Sequence, residues 1–78
     1  MNELISVSYF KNSFTNDNSI EYFAKTKKKE ATTFAKTISK ETGRRASVWK
    51  CKGYYNGSDF CEVESSHIAV YVDGKKCK

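Results

Sequence analysis

The sequence predicts an α+β fold in which an antiparallel sheet of about five strands, in the order ββαβββ, packs one helix on one face. Two observations support this prediction. Apolar and polar residues alternate near both ends of the chain, which is the period of a strand. In the middle, apolar residues recur every three or four positions, the period of a helix. The 78 residues are enough for one domain, residues 1–78.

The first two strands are expected to form a hairpin. Alternating apolar residues place the first strand over residues 3–10, and the Asn-rich stretch 11–19 is typical of a turn. The second strand is expected over residues 19–25, with Ile20 and Tyr22 on one side. These segments predict the first antiparallel pair of the sheet.

The helix is expected over residues 27–42. Thr26 is a candidate N-cap, and Gly43 is a candidate for the left-handed residue that ends the helix. The apolar stripe that would face the sheet consists of Ala31, Phe34, Ala35 and Ile38.

The remaining chain is expected to return to the sheet. Strand segments are predicted over residues 46–52, 60–64, 67–72 and 75–78, with Asp73-Gly74 as a two-residue turn before the last. Asn56-Gly57 is a strong hairpin signal. A hairpin centred on Asn56 would place Cys51 opposite Cys61, with Cys61 and Val63 inward and Glu62 and Glu64 outward. Trp49 is expected in the core, because Cys51 shares its face and lysines occupy the other; a partner anchor is the alternative.

Catalysis is not expected from this sequence. His67 is the single histidine, and the chain has no phosphate-binding loop, no nucleophile elbow and no zinc-protease motif. Glu62 and Glu64 could be paired carboxylates, but a chain of this size is expected to build no cleft around them. We therefore predict no catalytic residue, no cofactor and no enzymatic activity.

The cysteines and the chain start favour a cytoplasmic protein. Cys51, Cys61 and Cys77 are an odd number without a readable signal peptide, which is typical of reduced thiols, best interpreted as core residues. A zinc site with His67 lacks the closely spaced cysteine pair of structural sites, so no metal is predicted. The sequence leaves open whether Cys51 and Cys61 are thiols or a disulfide. No segment has the length and hydrophobicity of a membrane span.

Charge is distributed unevenly along the chain. Residues 25–52 contain ten Lys and Arg against Glu30 and Glu41, a formal charge of +8, whereas the other residues sum to −3. Such asymmetry indicates a partner attracted by electrostatics. Lysines in the first turn of the predicted helix also oppose the helix dipole, so stability alone does not account for them.

These features define a candidate partner-binding site. A solvated lysine face that only prevents aggregation is the alternative interpretation. Tyr54 and Tyr55, at the predicted hairpin tip, are added because exposed tyrosines are frequent in protein interfaces. The candidate residues are Lys28, Lys29, Lys36, Lys40, Arg44, Arg45, Lys50, Tyr54 and Tyr55.

The lysine-faced segment KKKEATTFAKTISKETG, the following ASVWKC strand and the terminal SSHIAVYVDGKKCK hairpin resemble small phage anti-CRISPR proteins. The layout is most similar to those directed at type I-F surveillance complexes. The resemblance covers roughly residues 26–78 and implies an inhibitor that evades host defence in the host cytoplasm. It further implies that Lys29, Lys36, Lys40 and Arg44 dock where target DNA would lie. The long acidic hairpin over residues 53–66 departs from that layout.

The alternative is a protein that binds nucleic acid directly through the same Lys and Arg residues. The +8 segment could neutralise several phosphates. The chain contains none of the common nucleic-acid-binding motifs, and an acidic strand would repel the phosphate backbone. The expected partner is therefore a host protein or ribonucleoprotein complex, or nucleic acid itself, with no membrane and with the oligomeric state left open.

Overall fold

The fold is described from a computed structural model, which covers residues 2–77. All five strands form one antiparallel sheet in the order β2-β1-β3-β4-β5, and the single α-helix lies across one face. The α+β prediction, with one helix between the second and third strands, is confirmed. The elements are β1 Asn2–Phe10, β2 Asn18–Ala24, a 3-10 turn Lys25–Lys27, α1 Lys28–Thr42, β3 Ala46–Asn56, β4 Asp59–Val72 and β5 Lys75–Lys76.

The helix ends as the sequence predicts but begins differently. Gly43 adopts the left-handed conformation with φ of 69°, which terminates α1. The predicted Thr26 cap is wrong, because Thr26 lies inside the 3-10 turn and the N-cap position is Lys27, which makes no capping hydrogen bond through its side chain. No helix within residues 2–77 is long and apolar enough to cross a membrane.

Small side chains bring the helix close to the sheet. Ala31 and Ala35 are fully buried against Val7 and Val48, which come from the two central strands. Phe34 then packs between two aromatic rings at the margin, with centroids 5.1 Å from Tyr9 and 5.7 Å from Phe23. The predicted apolar stripe of the helix is therefore the surface that builds the core.

The last turn fixes the C-terminal half of α1 to the sheet edge. Asp73 and Gly74 have φ of 52° and 78°, as a two-residue hairpin turn with both central residues at positive φ requires. The Gly74 amide donates a hydrogen bond of 3.0 Å to Oγ of the buried Ser39. A Cβ at Gly74 would lie 3.2 Å from Cβ of Lys40, so turn and helix are in close contact.

The β3–β4 hairpin is longer and less regular than predicted. The segments 60–64 and 67–72 belong to one strand, and its pairing with β3 shifts by one residue twice, between Val48 and Trp49 and between Lys52 and Gly53. Each shift leaves one extra residue in β4, which reverses the faces of the residues that follow it. Alternation of residue types cannot reveal such an insertion.

The bulges overturn several expectations. Cys51 pairs with Ser65 and Cys61 with Tyr54, so the two cysteines are not opposite each other. Cys61 and Val63 are exposed and not inward. All three cysteines are free thiols. The prediction of core thiols is confirmed for Cys51, which is buried, and is wrong for Cys61 and Cys77, which are exposed.

Glycine is required at the second bulge. Gly53 is buried, and a Cβ there would overlap the carbonyl oxygen of Cys61 on the neighbouring strand. The hairpin then closes over the two residues Gly57 and Ser58, with Gly57 at φ of 68°. The predicted centre at Asn56 is wrong because Asn56 is still paired, with Asp59, and the glycine is the first turn residue.

Candidate functional site

The outer surface of α1 forms a row of lysines. At about 100° per residue, Lys29, Lys36 and Lys40 lie within roughly 40° of one another. They are exposed on the side opposite the buried Ala31 and Ala35. None of the three forms an ion pair within residues 2–77. We call Lys29, Lys36 and Lys40 the lysine face.

Lys28 belongs to the same end of the helix but not to the same row. It is exposed in the first turn, about 100° around the axis from Lys29. Two neighbouring lysines are engaged locally, since Lys27 lies 3.6 Å from Glu30 and Lys25 lies 2.6 Å from Glu3. The uncompensated positive charge at this helix start therefore comes from Lys28 and Lys29.

A groove beside the last turn of α1 borders the lysine face. It is lined by Lys36, Lys40 and Lys75, the first residue of β5, although the pairing of Lys75 with Val72 places its side chain on the side of the sheet that α1 does not cover. Glu41 and Asp73 line the same groove and reduce its net charge. Sequence patterns could not place Lys75 there, because its position depends on the contact between the last turn and the helix.

Lys50 lies away from the lysine face. It is in the sheet layer, on the same side of β3 as Val48, where it lines a groove with Lys52 and Glu64. Lys52 lies 3.6 Å from Glu3. The pKa of Glu3 is lowered, first by a hydrogen bond from Lys25; burial opposes this shift, and the charges of Lys25, Lys50 and Lys52 add to it.

The two arginines are separated by the structure. The Arg44 guanidinium lies 3.9 Å from the centre of the Phe10 ring and donates hydrogen bonds to the Thr15 carbonyl and, at 3.0 Å, to Oδ1 of Asn16. Arg44 thus holds the β1–β2 loop. Arg45 lies in a different groove, on the sheet face that α1 does not cover.

Tyr54 and Tyr55 are both exposed near the hairpin tip, at 55% and 53%. As neighbours on one strand they point to opposite faces. Tyr55 packs against Phe60 with ring centroids 5.3 Å apart, and Phe60 packs against Tyr22 at 5.4 Å. Tyr55 is therefore part of an aromatic cluster on the uncovered face, and Tyr54 is not.

The uncovered side of the sheet, called the open face, is the principal feature that sequence reasoning missed. Trp49 is half-buried there, with its ring centroid 4.7 Å from that of His67, and it is not part of the buried core, so the expected core position is wrong. β2 has apolar residues on both of its faces, and this pattern is the sequence feature that could have indicated a second apolar surface. The open face includes Ile20, Tyr22, Arg45, Ser47, Trp49, Tyr55, Phe60, Glu62, His67, Val70 and Val72.

Burial on the open face changes two titrating groups. Burial, followed by the charges of Glu62 and Cys51, raises the pKa of Tyr22. Burial also raises the pKa of the Cys51 thiol, helped by the Glu62 charge and opposed by a hydrogen bond with Ser6. Cys51 is consequently a neutral, unreactive thiol near neutral pH.

The carboxylates and the histidine do not converge on a reaction centre. The second bulge places Glu62 on the open face, whereas Glu64 lies beside Lys50 and Lys52 on the other side of the sheet. In the described part of the chain, no three His, Cys, Asp or Glu side chains are close enough to hold a metal ion.

No protein-family model matches this chain, and comparison with curated proteins and with solved structures gives no match.

Proposed function

We propose that this protein is a non-enzymatic inhibitor that binds a nucleic-acid-handling complex in the cytoplasm of a host cell through the lysine face. A phage-encoded inhibitor of a CRISPR surveillance complex is the specific form that the resemblance implies. In that form, Lys29, Lys36 and Lys40 contact an acidic surface of the complex, and the bound inhibitor blocks the access of target DNA.

The observation that supports this proposal is the lysine face itself. Three lysines project from one exposed side of a helix, and none is neutralised by an ion pair within residues 2–77. Lys28 extends the positive surface at the start of the helix. Unpaired lysines on a rigid element attract an anionic surface over a distance of several ångströms and accelerate encounter with it.

The uncapped start of α1 gives additional support. The positive ends of the first N–H groups meet Lys28 and Lys29, and no side chain caps them in the described residues. Each of these lysines destabilises the helix start by about 0.3–1 kcal/mol, and Glu30, in the same turn, offsets part of this cost. A function that uses these charges explains why they are present.

A direct nucleic-acid binder would use the same lysines, and the two functions differ in their response to salt. Affinity for a phosphate backbone falls steeply with salt because counterions are released. A folded protein complex with packed contacts survives at about 0.2 M salt. The arginines favour the protein partner, because neither is placed beside the lysine face to contact a phosphate. Arg44 is engaged within the chain, and Arg45 lies on the open face.

The test is capture of partners from a lysate of the natural host at about 0.2 M salt, with identification by mass spectrometry. We expect the wild-type protein to retain a stoichiometric complex and Lys36→Glu/Lys40→Glu to lose it, while the melting temperature changes by only a few degrees. Retention of nucleic acid alone, lost as salt rises, would instead identify a direct nucleic-acid binder.

The matched control compares single charge reversals. Lys11→Glu makes the same change in the exposed β1–β2 loop, at a residue outside the lysine face, as Lys36→Glu makes on it. Lys11→Glu should retain the complex, and Lys36→Glu should weaken it. Equal losses would mean that overall charge, and not the lysine face, determines binding.

A further inference from the structure

The open face has several exposed apolar side chains among its polar ones, and no described element covers it. Ile20, Tyr22, Tyr55 and Val72 are 52%, 38%, 53% and 36% exposed. Apolar patches of this kind on a small protein mark interaction surfaces. We propose that the open face binds the open face of a second copy of this chain, giving a dimer with two-fold symmetry.

The charges on the open face support a second copy as the occupant. Its ionised side chains among the described residues are Arg45 and Lys75 at one end, since Lys75 pairs with Val72, and Glu62 at the other. Arg45 precedes β3, and Glu62 pairs with Gly53 near the other end of that strand. Eight residues of strand separate these positions, about 26 Å. One surface therefore has a positive end and a negative end.

A two-fold axis makes this arrangement self-complementary. In a symmetric dimer the same patch meets itself, so every contact occurs twice. An axis in the interface plane and perpendicular to the strands exchanges the two ends, which places Arg45 of each copy near Glu62 of the other. Trp49 lies midway between Arg45 and Gly53 along the chain, so the two Trp49 rings would meet near the axis.

The size of the face is appropriate for a stable dimer. The chain measures 34 × 23 × 17 Å along its principal axes. A face spanned by the two longer dimensions is on the order of 800 Å², the area per partner of a standard interface. Sheets that pack face to face in this way form the two layers of a sandwich.

Electrostatic repulsion also favours the open face over the lysine face as the dimer interface. Each chain has a formal charge of +5, so two copies repel unless their positive surfaces stay apart. The lysine face lies on the far side of α1 from the open face. Pairing through open faces separates the two lysine faces by several Debye lengths, each about 8 Å at physiological salt. With two basic side chains at one end and Glu62 at the other, the open face is poorly suited to a phosphate backbone.

The test measures self-association by sedimentation velocity over about 1 µM to 1 mM protein. We expect the mass to rise from one chain to two. Trp49 is the sole tryptophan, so its emission reports on the centre of the interface. Emission should shift to shorter wavelength as the dimer forms. A single-chain mass throughout the range would overturn the proposal. The same result is expected if the open face binds another protein, and that case also overturns it.

Charge reversal tests the geometry. Arg45→Glu and Glu62→Arg should each weaken self-association about tenfold or more, because each places like charges together. The double variant Arg45→Glu/Glu62→Arg should restore it to within about threefold of wild type. A double variant no better than the single ones would overturn the proposed orientation. Lys36→Glu, off the open face, should leave self-association unchanged, and circular dichroism verifies that each variant is folded.

Discussion

The two faces of the sheet are built from the same strands but from different kinds of side chain. Val48 is fully buried beneath α1, and Trp49, the next residue, lies half-buried on the open face. The buried part of the covered face consists of alanine, valine and isoleucine, with Tyr9, Phe23 and Tyr71 partly buried around it. The open face combines serines with Trp49, Tyr22 and Phe60.

This difference separates what folds the chain from what is available to partners. The covered face completes its packing within one molecule. Large aromatic residues on the open face lose contact with water only if something binds there, and aromatic residues dominate the energetics of protein interfaces. The lysine face adds a charged surface on the opposite side, so the molecule presents one apolar and one positive surface with the core between them.

The largest expected effect comes from placing the same charge on each face in turn. Val48→Asp should unfold the protein, because an unpaired buried carboxylate costs several kcal/mol and a domain of this size has little stability to lose. Ser47→Asp introduces the same side chain one residue earlier, on the open face, where water can reach it. It should remain folded by circular dichroism and lose less than about 1 kcal/mol in urea unfolding.

That pair of variants tests the assignment of faces directly. If Ser47→Asp were as destabilising as Val48→Asp, the open face would be part of the core within a single chain. The distinction between a covered face and an open face would then not hold.

An intermediate effect is expected at the start of α1, where stability and binding should move in opposite directions. Lys28→Glu/Lys29→Glu places negative charge beside the uncapped N–H groups, which should stabilise the protein by about 0.3–1 kcal/mol per substitution. The same variant should bind the partner less well. Lys40→Glu, in the last turn, should weaken binding and also lower stability, because there the dipole favours a positive charge.

Urea unfolding and partner capture on the same preparations measure the two properties. A Lys28→Glu/Lys29→Glu variant that is both more stable and fully able to bind would show that these lysines serve neither the fold nor the partner.

The smallest effect concerns Glu3, which lies between Lys25 and Lys52. Its pKa is lowered from the ordinary value of 4.5 in the folded protein. Such a carboxylate contributes stability above its unfolded pKa, and the contribution disappears as pH falls through the folded pKa. The melting temperature of wild type should slightly exceed that of Glu3→Gln at pH 7, and the difference should vanish in acid. A difference that persisted or grew in acid would contradict this assignment.

The sequence predicted the elements well, because their signals are local. Period two over residues 3–10, the apolar stripe of α1 and the turns at Gly43 and Asp73-Gly74 each depend on a few neighbouring residues, and the structure confirms them. The β4 bulges could not be predicted in this way. An extra residue at Val63 or Ile68 leaves no mark in composition, yet it changes which face Glu62 and Cys61 occupy.

The candidate site was predicted only in part for the same reason. Periodicity placed Lys29, Lys36 and Lys40 on one side of the helix, where the structure has them. Grouping Arg44, Arg45 and Lys50 with them assumed that neighbours in sequence stay neighbours in space. Arg44 instead contacts Phe10, and Arg45 lies on the open face. The positions of these side chains depend on contacts between residues that are distant in sequence, and the order of residue types along the chain does not reveal such contacts.

The most direct measurement of the central claim is quantitative partner capture by Lys36→Glu and by Lys11→Glu, side by side with wild type. We expect Lys11→Glu to match wild type and Lys36→Glu to retain several-fold less of the same complex at equal melting temperature. Undiminished capture by Lys36→Glu, or an equal loss in both variants, would contradict a binding site on the lysine face.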